Sequence, residues 1–515
     1  MRWSPLLLGL VFGTACIGAP APDNPTPHPV FERAEFATPP NAIDLACAAA
    51  WQRLGLEPAA PCSDTVFVRR VFLDVIGTLP TAGETRRFLA DPSPNKRRAL
   101  IDGLLEREEF ADYWAMKWSD VLRVKAEFPI NLWPNAAQAY HRWLRTAMRD
   151  NLRYDEFART LLTANGSNFR VGPANFYRAV QSRDPESLAR AVALTFLGER
   201  AETWPPERLA GLAAFFAQID YKATGEWKEE IVFFSPTRSP ESPAHAVFPD
   251  GTPAHLAPGS DPRIAFADWL VAPHNPYFAR AMANRVWAWL FGRGIVHEPD
   301  DFRPDNPPAN PELLAVLERE FVASGYDVKQ LLRFILNSRT YQLSSLTRSD
   351  DPRIAEQFAA YPLRRLDAEV LIDALNQVTG TTERYTSAIP EPFTFVPETH
   401  RAIALPDGSI TSTFLETFGR APRDSGLQAE RNNAVTSAQR LHLLNSTHLK
   451  NKLETGRALQ PLLRAKRNAL PRAVNELYFT ILSRPPRDEE IATVLTYAET
   501  SGPRTAVLDT PWALI

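Results

Sequence analysis

The residues best equipped for chemistry in this chain are polar groups set among apolar neighbours. Asn284 and Arg285 stand inside the apolar run 281–291, so a helix there carries a guanidinium on its buried face. Burying that charge is costly unless it is paired. Its expected partners are Asp300 and Asp301, after the helix, or Glu369 and Asp373, one turn apart on a helix over 366–379. Arg365, Glu430 and Arg431 complete this candidate polar cluster. The plainer reading is a salt-bridge network joining helices; the sharper one is an anion- or carbohydrate-binding pocket. A second group, His297, Glu298, Asp300, Asp301 and Asp305, lies in a proline-interrupted stretch. A histidine among carboxylates suits general acid–base chemistry or calcium binding. Calcium-loop spacing is absent, however, and a solvated loop is the plainer account.

Other polar sets are smaller. Arg69, Arg70 and Asp74 flank an apolar helix and read as a local ion-pair set. Asn165-Gly166-Ser167-Asn168 reads as a turn, with a ligand-contacting loop as the alternative. Trp114, Trp118, Trp133 and Trp143 would stack on sugar rings if exposed, but tryptophans at helical spacing read as core. There are three cysteines, Cys16, Cys47 and Cys62. Cys47 and Cys62 form the disulfide candidate, closing a loop worth roughly 3 kcal/mol in an oxidising compartment; two unpaired buried thiols are the alternative. No C-x-x-C occurs, so no zinc site is expected, and no metal ligand set stands out. The chain also lacks G-x-S-x-G, H-E-x-x-H, P-loop and G-x-G-x-x-G signatures.

The elements that must position these groups are overwhelmingly helical. Ser93-Pro94 starts a helix through Leu100, Ile101, Leu104 and Leu105; residues 110–123 place Phe110, Trp114, Trp118 and Val121 on one stripe. Asn275-Pro276 starts a helix running to Phe291 and stopping at Gly292. Asn310-Pro311 starts another, and Asp327 caps a third over 328–337. Further helices fit 366–379, 434–456 and 471–483, with a last one from Asp488 through Tyr497. The best strand candidate is 230–235, EIVFFS. The expected fold is mainly α: two helical domains, 41–220 and 263–515, joined by a Pro-rich linker, 221–262, with short strands.

Composition bounds the rest. At 515 residues, with 44% hydrophobic and 23% charged, the chain is an ordinary globular protein of more than one domain's length, not a disordered or fibrous one. A net charge of −3 argues against a nucleic-acid partner. The 46 prolines against 23 glycines imply stiff connections rather than flexible ones. At the N-terminus, Arg2, the apolar stretch 6–12 and the small residues after it have the order of a secretory signal over 1–21. Cys16 after Gly-Thr-Ala resembles a lipoprotein cleavage site and would bear a lipid anchor; Ala19-Pro20-Ala21 offers an ordinary cut. A short buried helix in a cytosolic protein is the competing reading. Residues 22–40 read as a Pro-rich tether. No later run of 18 apolar residues exists, so no transmembrane helix is expected in the mature chain.

Long stretches resemble one known family. Positions 65–123, from TVFVRRVFLDVIGTLPTAGETRRFLAD to DYWAMKWSDVLRV, resemble the first domain of large exported proteins abundant in planctomycetes and verrucomicrobia. Positions 261–345 resemble its second domain, and the likeness continues through RRLDAEVLIDALNQVTG (364–380), ERNNAVTSAQRLHLLN (430–445) and LYFTILSRPPRDEEI (477–491). These are the domains of unknown function 1549 and 1553, also called cytochrome-associated. The resemblance implies export and a helical fold, but no established activity. It also implies a haem-type C-x-x-C-H, followed by a second His, between T-F-L-G and G-L-A-A-F-F. Here Thr195-Phe196-Leu197-Gly198 runs through ERAETWPPERLA (199–210) into Gly211, without Cys or His. Where relatives show C-E-C-E-R, this chain has Leu427-Gln428-Ala429-Glu430-Arg431. No haem or other cofactor is therefore expected. The chain ends at Trp512-Ala513-Leu514-Ile515, short of a tail expected in relatives.

Two functions follow. One is an exported, periplasmic or envelope-associated, non-catalytic binding or scaffold component with a protein or polysaccharide partner. The other is a hydrolase or lyase acting on complex carbohydrate through Asp301 and Glu369. Exposure of Asp301, Glu369 and Arg285 in one cleft favours the second; burial as pairs favours the first.

Overall fold

A computed structural model describes residues 28–515. The expected signal segment 1–21, with Cys16, and the first part of the expected tether lie outside the described residues. The fold is mainly α, and among the described residues the strands form one small sheet. Its order is Gly166–Ser167, Glu230–Phe234, Ile219–Ala223, antiparallel throughout, with Tyr221 opposite Val232. The expected strand at 230–235 is thus its centre. Asn165-Gly166-Ser167-Asn168, expected as a turn, instead supplies the edge strand. Asn168 is buried: its Nδ2 donates to the Lys228 carbonyl and its Oδ1 accepts from Glu230 N.

Capping chemistry sets the helix starts. Asn310 accepts from Leu313 N ahead of the Pro311–Ala323 helix, and Asp327 accepts from Gln330 N ahead of Val328–Leu336. Asn275 Oδ1 accepts from the amides of Tyr277 and Phe278, and the Phe278–Phe291 helix ends on Gly292 in the left-handed conformation. Some boundaries differ from expectation. The helix expected from Ser93-Pro94 begins at Lys96. The single helix expected over 434–456 is two, Ser437–Asn445 and Thr447–Thr455, because Ser446 leaves helical geometry and its hydroxyl caps the second by accepting from Leu449 N. The helix from Asp488 reaches Ser501, and a further one, Pro503–Leu514, packs against it and against Leu470–Leu482.

The Pro-rich segment separates two halves in sequence, yet in space they bury one continuous hydrophobic core. At its centre the Glu108–Val121 helix meets the Phe278–Phe291 helix. Trp289 sets its ring edge-on to both Trp114 (5.5 Å between centroids) and Trp118 (5.8 Å). Trp114 and Trp118 are therefore core, and Trp143 stacks on Phe157. Around this centre Ala42–Leu54 packs on Pro311–Ala323, and the carboxylate of Asp44 accepts from the amides of Arg339 and Thr340.

The described part of the expected tether is docked rather than free. Ser63 Oγ donates to the Val30 carbonyl, Ser63 N to Phe31 O and Arg33 N to Pro61 O. Glu32 is buried against Arg348. Nor are Cys47 and Cys62 bridged: both are buried free thiols. Cys47 lies against Thr340, and burial pushes its thiol up to about 12, whereas Cys62 faces the Arg97 guanidinium.

Candidate functional site

The polar groups of the core converge on one buried ionic network. From the Glu108–Val121 helix come Lys117 and Asp120; from the start of the Ala368–Thr379 helix, Asp367 and Glu369; from the irregular segments beside it, Arg364, Arg420, Arg423 and Arg431. Arg431 is the hub. It grips Glu369 with both terminal nitrogens, at 2.7 and 3.1 Å, and reaches Asp120 through Nε and Nη2 at 3.0 and 2.6 Å. Arg420 approaches Glu369 at 3.3 Å, Arg423 takes the other oxygen of Asp120 at 2.9 Å, and Lys117 meets Asp367 at 2.6 Å.

Burial alone would raise the Asp367 carboxyl, but the Lys117, Arg431 and Arg364 cations outweigh it and hold it far below the usual range. Glu369, with no exposed surface, is likewise held down against burial by Arg431 and Arg420. Lys117 is pulled down by burial and by two neighbouring arginines, against the pull of Asp367. Asp367 and Glu369 are thereby held as carboxylates, a structural arrangement rather than a poised acid.

Above the network opens a polar pocket of about 210 Å³. Arg293, His297, Glu298, Gln428 and Asn433 line it, with Lys117, Asp367, Arg364 and Arg431 at the network side. Three lining residues carry buried polar atoms with no partner: Arg293 Nε, Arg364 Nε and Asn433 Oδ1. One wall is the loop after Gly292, pinned by Asn284, whose side-chain amide pairs in both directions with the backbone of Val296. A Cβ at Gly294 would lie 2.1 Å from the Val296 carbonyl, so that close approach admits only glycine. The opposite wall is the Gln428–Glu430 turn, held by Trp289 Nε1 on Gln428 Oε1 (3.1 Å) and by Gln428 N on Asp300 (2.8 Å).

The expected cluster is brought together only in part. Glu369 and Arg431 join as described. Asp300 links Arg200 to the Gln428 turn; Asp301 is contacted by Arg303 and, more loosely, Arg200; Asp305 turns outward on Arg303. His297 lines the pocket with an exposed ring, and among the described residues no set of three His, Cys, Asp or Glu side chains could hold a metal. Glu430 stays local, accepting from the amides of Asp424 and Ser425. Arg365 donates to the carbonyls of Asn432 and Asn433. Asp373 sits apart, accepting from Ala402 N and Ile403 N beside Arg401; burial raises it to about 6 despite these contacts.

Arg285 departs most from expectation, because its partners are not carboxylates. It donates to the carbonyls of Thr195 (2.7 Å) and Leu194 (3.0 Å). These belong to the π-helical turn Ala193–Leu197 that ends the Pro185–Val192 helix. Carbonyls at a helix end lack in-helix donors and attract a cation. The Arg69, Arg70 and Asp74 set is not local either. Asp74 accepts from Arg364, Tyr341 and Tyr361, whereas Arg70 donates to the carbonyls of Tyr341 and Leu343.

Sequence reasoning missed Lys117, Asp120, Asp367, Arg364, Arg420 and Arg423. A signal existed for the first two: they interrupt a helix whose neighbours Ala115, Met116, Trp118 and Val121 are all buried.

A mainly helical protein with a buried ionic network under a polar pocket is the class defined so far. Comparison with known families is specific: residues 42–203 match the protein of unknown function DUF1549 (PSCyt2), and residues 262–498 match the protein of unknown function DUF1553 (PSD1). The chain belongs to the family that joins these two domains. No curated protein and no solved structure matches it. Covalent haem does not fit the residues present. Segment 199–210 holds no cysteine or histidine, and its Arg208 stacks on Trp204 while pairing with Glu199. Ala429, at a position where the family resemblance implies cysteine, lines the polar pocket.

Proposed function

We propose that this chain is an exported, cell-envelope binding component that holds a hydroxyl-rich ligand, a polysaccharide segment, without cleaving it. The observation that carries this reading is the burial of Glu369, Asp301 and Arg285, at 0%, 8% and 3% exposure, each already engaged by charged or carbonyl partners. A glycoside-cleaving acid must be kept protonated beside the scissile bond. Asp373, a carboxyl of the expected cluster that burial raises, does not line the pocket. The unpartnered atoms of Arg293, Arg364 and Asn433 favour a ligand offering both donors and acceptors, as sugar hydroxyls do.

The test is affinity electrophoresis of the purified protein through a panel of polysaccharides, run beside assays for new reducing ends and unsaturated products. Retardation by at least one polysaccharide without product, weakened by Asn433→Ala, is expected. Product release abolished by Asp301→Asn or Glu369→Gln would instead establish the hydrolase or lyase. Export is tested separately, by N-terminal sequencing of native protein: a start between Cys16 and Pro22 is expected, and an intact Met1 overturns it.

A further inference from the structure

A second cavity, of about 500 Å³, lies where the Asp64–Ile76 helix meets the 361–366 segment and the end of the Leu470–Leu482 helix. Its walls are largely apolar: Val66, Leu73, Leu366 and Leu482 contribute, with Leu363 on the lining at 86% exposure. No other large apolar side chain among the described residues is so exposed. Four guanidiniums also line it, and they differ in how they are matched. Arg364 bonds Asp74, and Arg484 is gripped by Glu490 at 2.7 and 2.8 Å. Arg69 and Arg70 have no carboxylate partner among the described residues. Arg69 donates only to the Ile481 carbonyl. Arg70 donates through one nitrogen to the carbonyls of Tyr341 and Leu343 and stacks 3.6 Å over the Tyr361 ring. Burial of Arg69 without a countercharge lowers it to about 10, a cost that a bound anion would relieve.

We infer that this cavity binds an amphiphilic anion, an apolar chain ending in a carboxylate or phosphate, with the headgroup on Arg69 and Arg70 and the chain along Leu73, Leu482 and Leu363. Guanidinium forks match carboxylate and phosphate geometry, and the volume suits a small ligand. An apolar molecule alone would leave both cations unmatched, and an inorganic anion alone would leave the leucines wet. This site shares Arg364 with the polar pocket, but neither Arg69 nor Arg70 lines that pocket, and the inference does not rest on the function proposed for it.

The experiment is calorimetric titration of the full chain with decanoate and decyl phosphate below their micelle concentrations, decanol below its solubility limit, and inorganic phosphate. Expected is binding of decanoate or decyl phosphate at least tenfold tighter than of decanol or inorganic phosphate; the tighter of the two anions identifies the headgroup. Arg69→Gln should weaken the anion at least tenfold while leaving decanol unchanged. If that variant does not fold, Leu363→Asp, at an exposed position, carries the test with the same expected weakening. Decanol binding as tightly as the anions, no binding of either anion, or affinity unchanged in the variant overturns the inference.

Discussion

Arg431 and Asp120 are 311 positions apart in the chain, and their side chains meet at 2.6 Å. That contact ties the first half's central helix to the segment bordering the polar pocket. The pocket floor and the folded core are therefore the same set of bonds.

Replacing Arg431 leaves Glu369 with only Arg420 and Asp120 with only Arg423 as cationic partners, so Arg431→Met should cost about 3–5 kcal/mol of unfolding free energy. Arg285→Met orphans only two carbonyls and should cost less, roughly 1–3 kcal/mol. Urea unfolding of the two variants beside the parent protein measures both, and equal losses would contradict the assignment of their partners.

His141 is buried with Nε2 unpartnered; burial, then the Arg423 charge, push it down to about 3. Because the folded value lies below the unfolded one, its contribution is complete above about pH 6.5 and is lost as pH falls toward 3. The full loss is about 5 kcal/mol. His141→Leu should flatten the stability–pH curve between pH 6.5 and 4, read by chemical unfolding at several pH values.

Asp373 has the opposite sign. Its folded value, about 6, exceeds the ordinary aspartate value of 3.8, so its contribution is complete below about pH 3.8 and disappears as pH rises through 6. That change amounts to roughly 3 kcal/mol. In Asp373→Asn the corresponding slope between pH 4 and 6 should vanish, whereas the His141 slope should remain.

Cys47 and Cys62 should be alkylated only after unfolding, and without added reductant. Mass mapping of native and denatured protein checks this. A peptide pair linking Cys47 to Cys62 in unreduced protein would contradict the separate environments found at Thr340 and Arg97.

Much of the helical frame was legible because its signals are local. Asn310, Asp327 and Gly292 each act within a few residues, and the periodicity of 110–123 placed Trp114 and Trp118 inside. The candidate site was legible only in composition. Glu369 and Arg431 stood out as polar residues near apolar runs, but nothing local joins them to Asp120. Arg285 was misjudged for a related reason. Its partners are backbone carbonyls released where a helix widens at 193–197, and carbonyls carry no residue identity to read. The docked segment 28–40 was hidden by its prolines, which mark extended chain whether it is bound or free.

The tryptophan wedge has a hereditary consequence. Trp289 from the second half is the surface on which Trp114 and Trp118 of the first half close. A gene encoding either half alone would produce a molecule with its side of this tryptophan contact open to water. Recombination that duplicates, swaps or separates the halves therefore yields products prone to clumping and proteolysis, while insertions in the intervening proline-rich stretch leave the wedge untouched. Lineages carrying this architecture should vary in that connecting stretch and transmit the two halves as a pair.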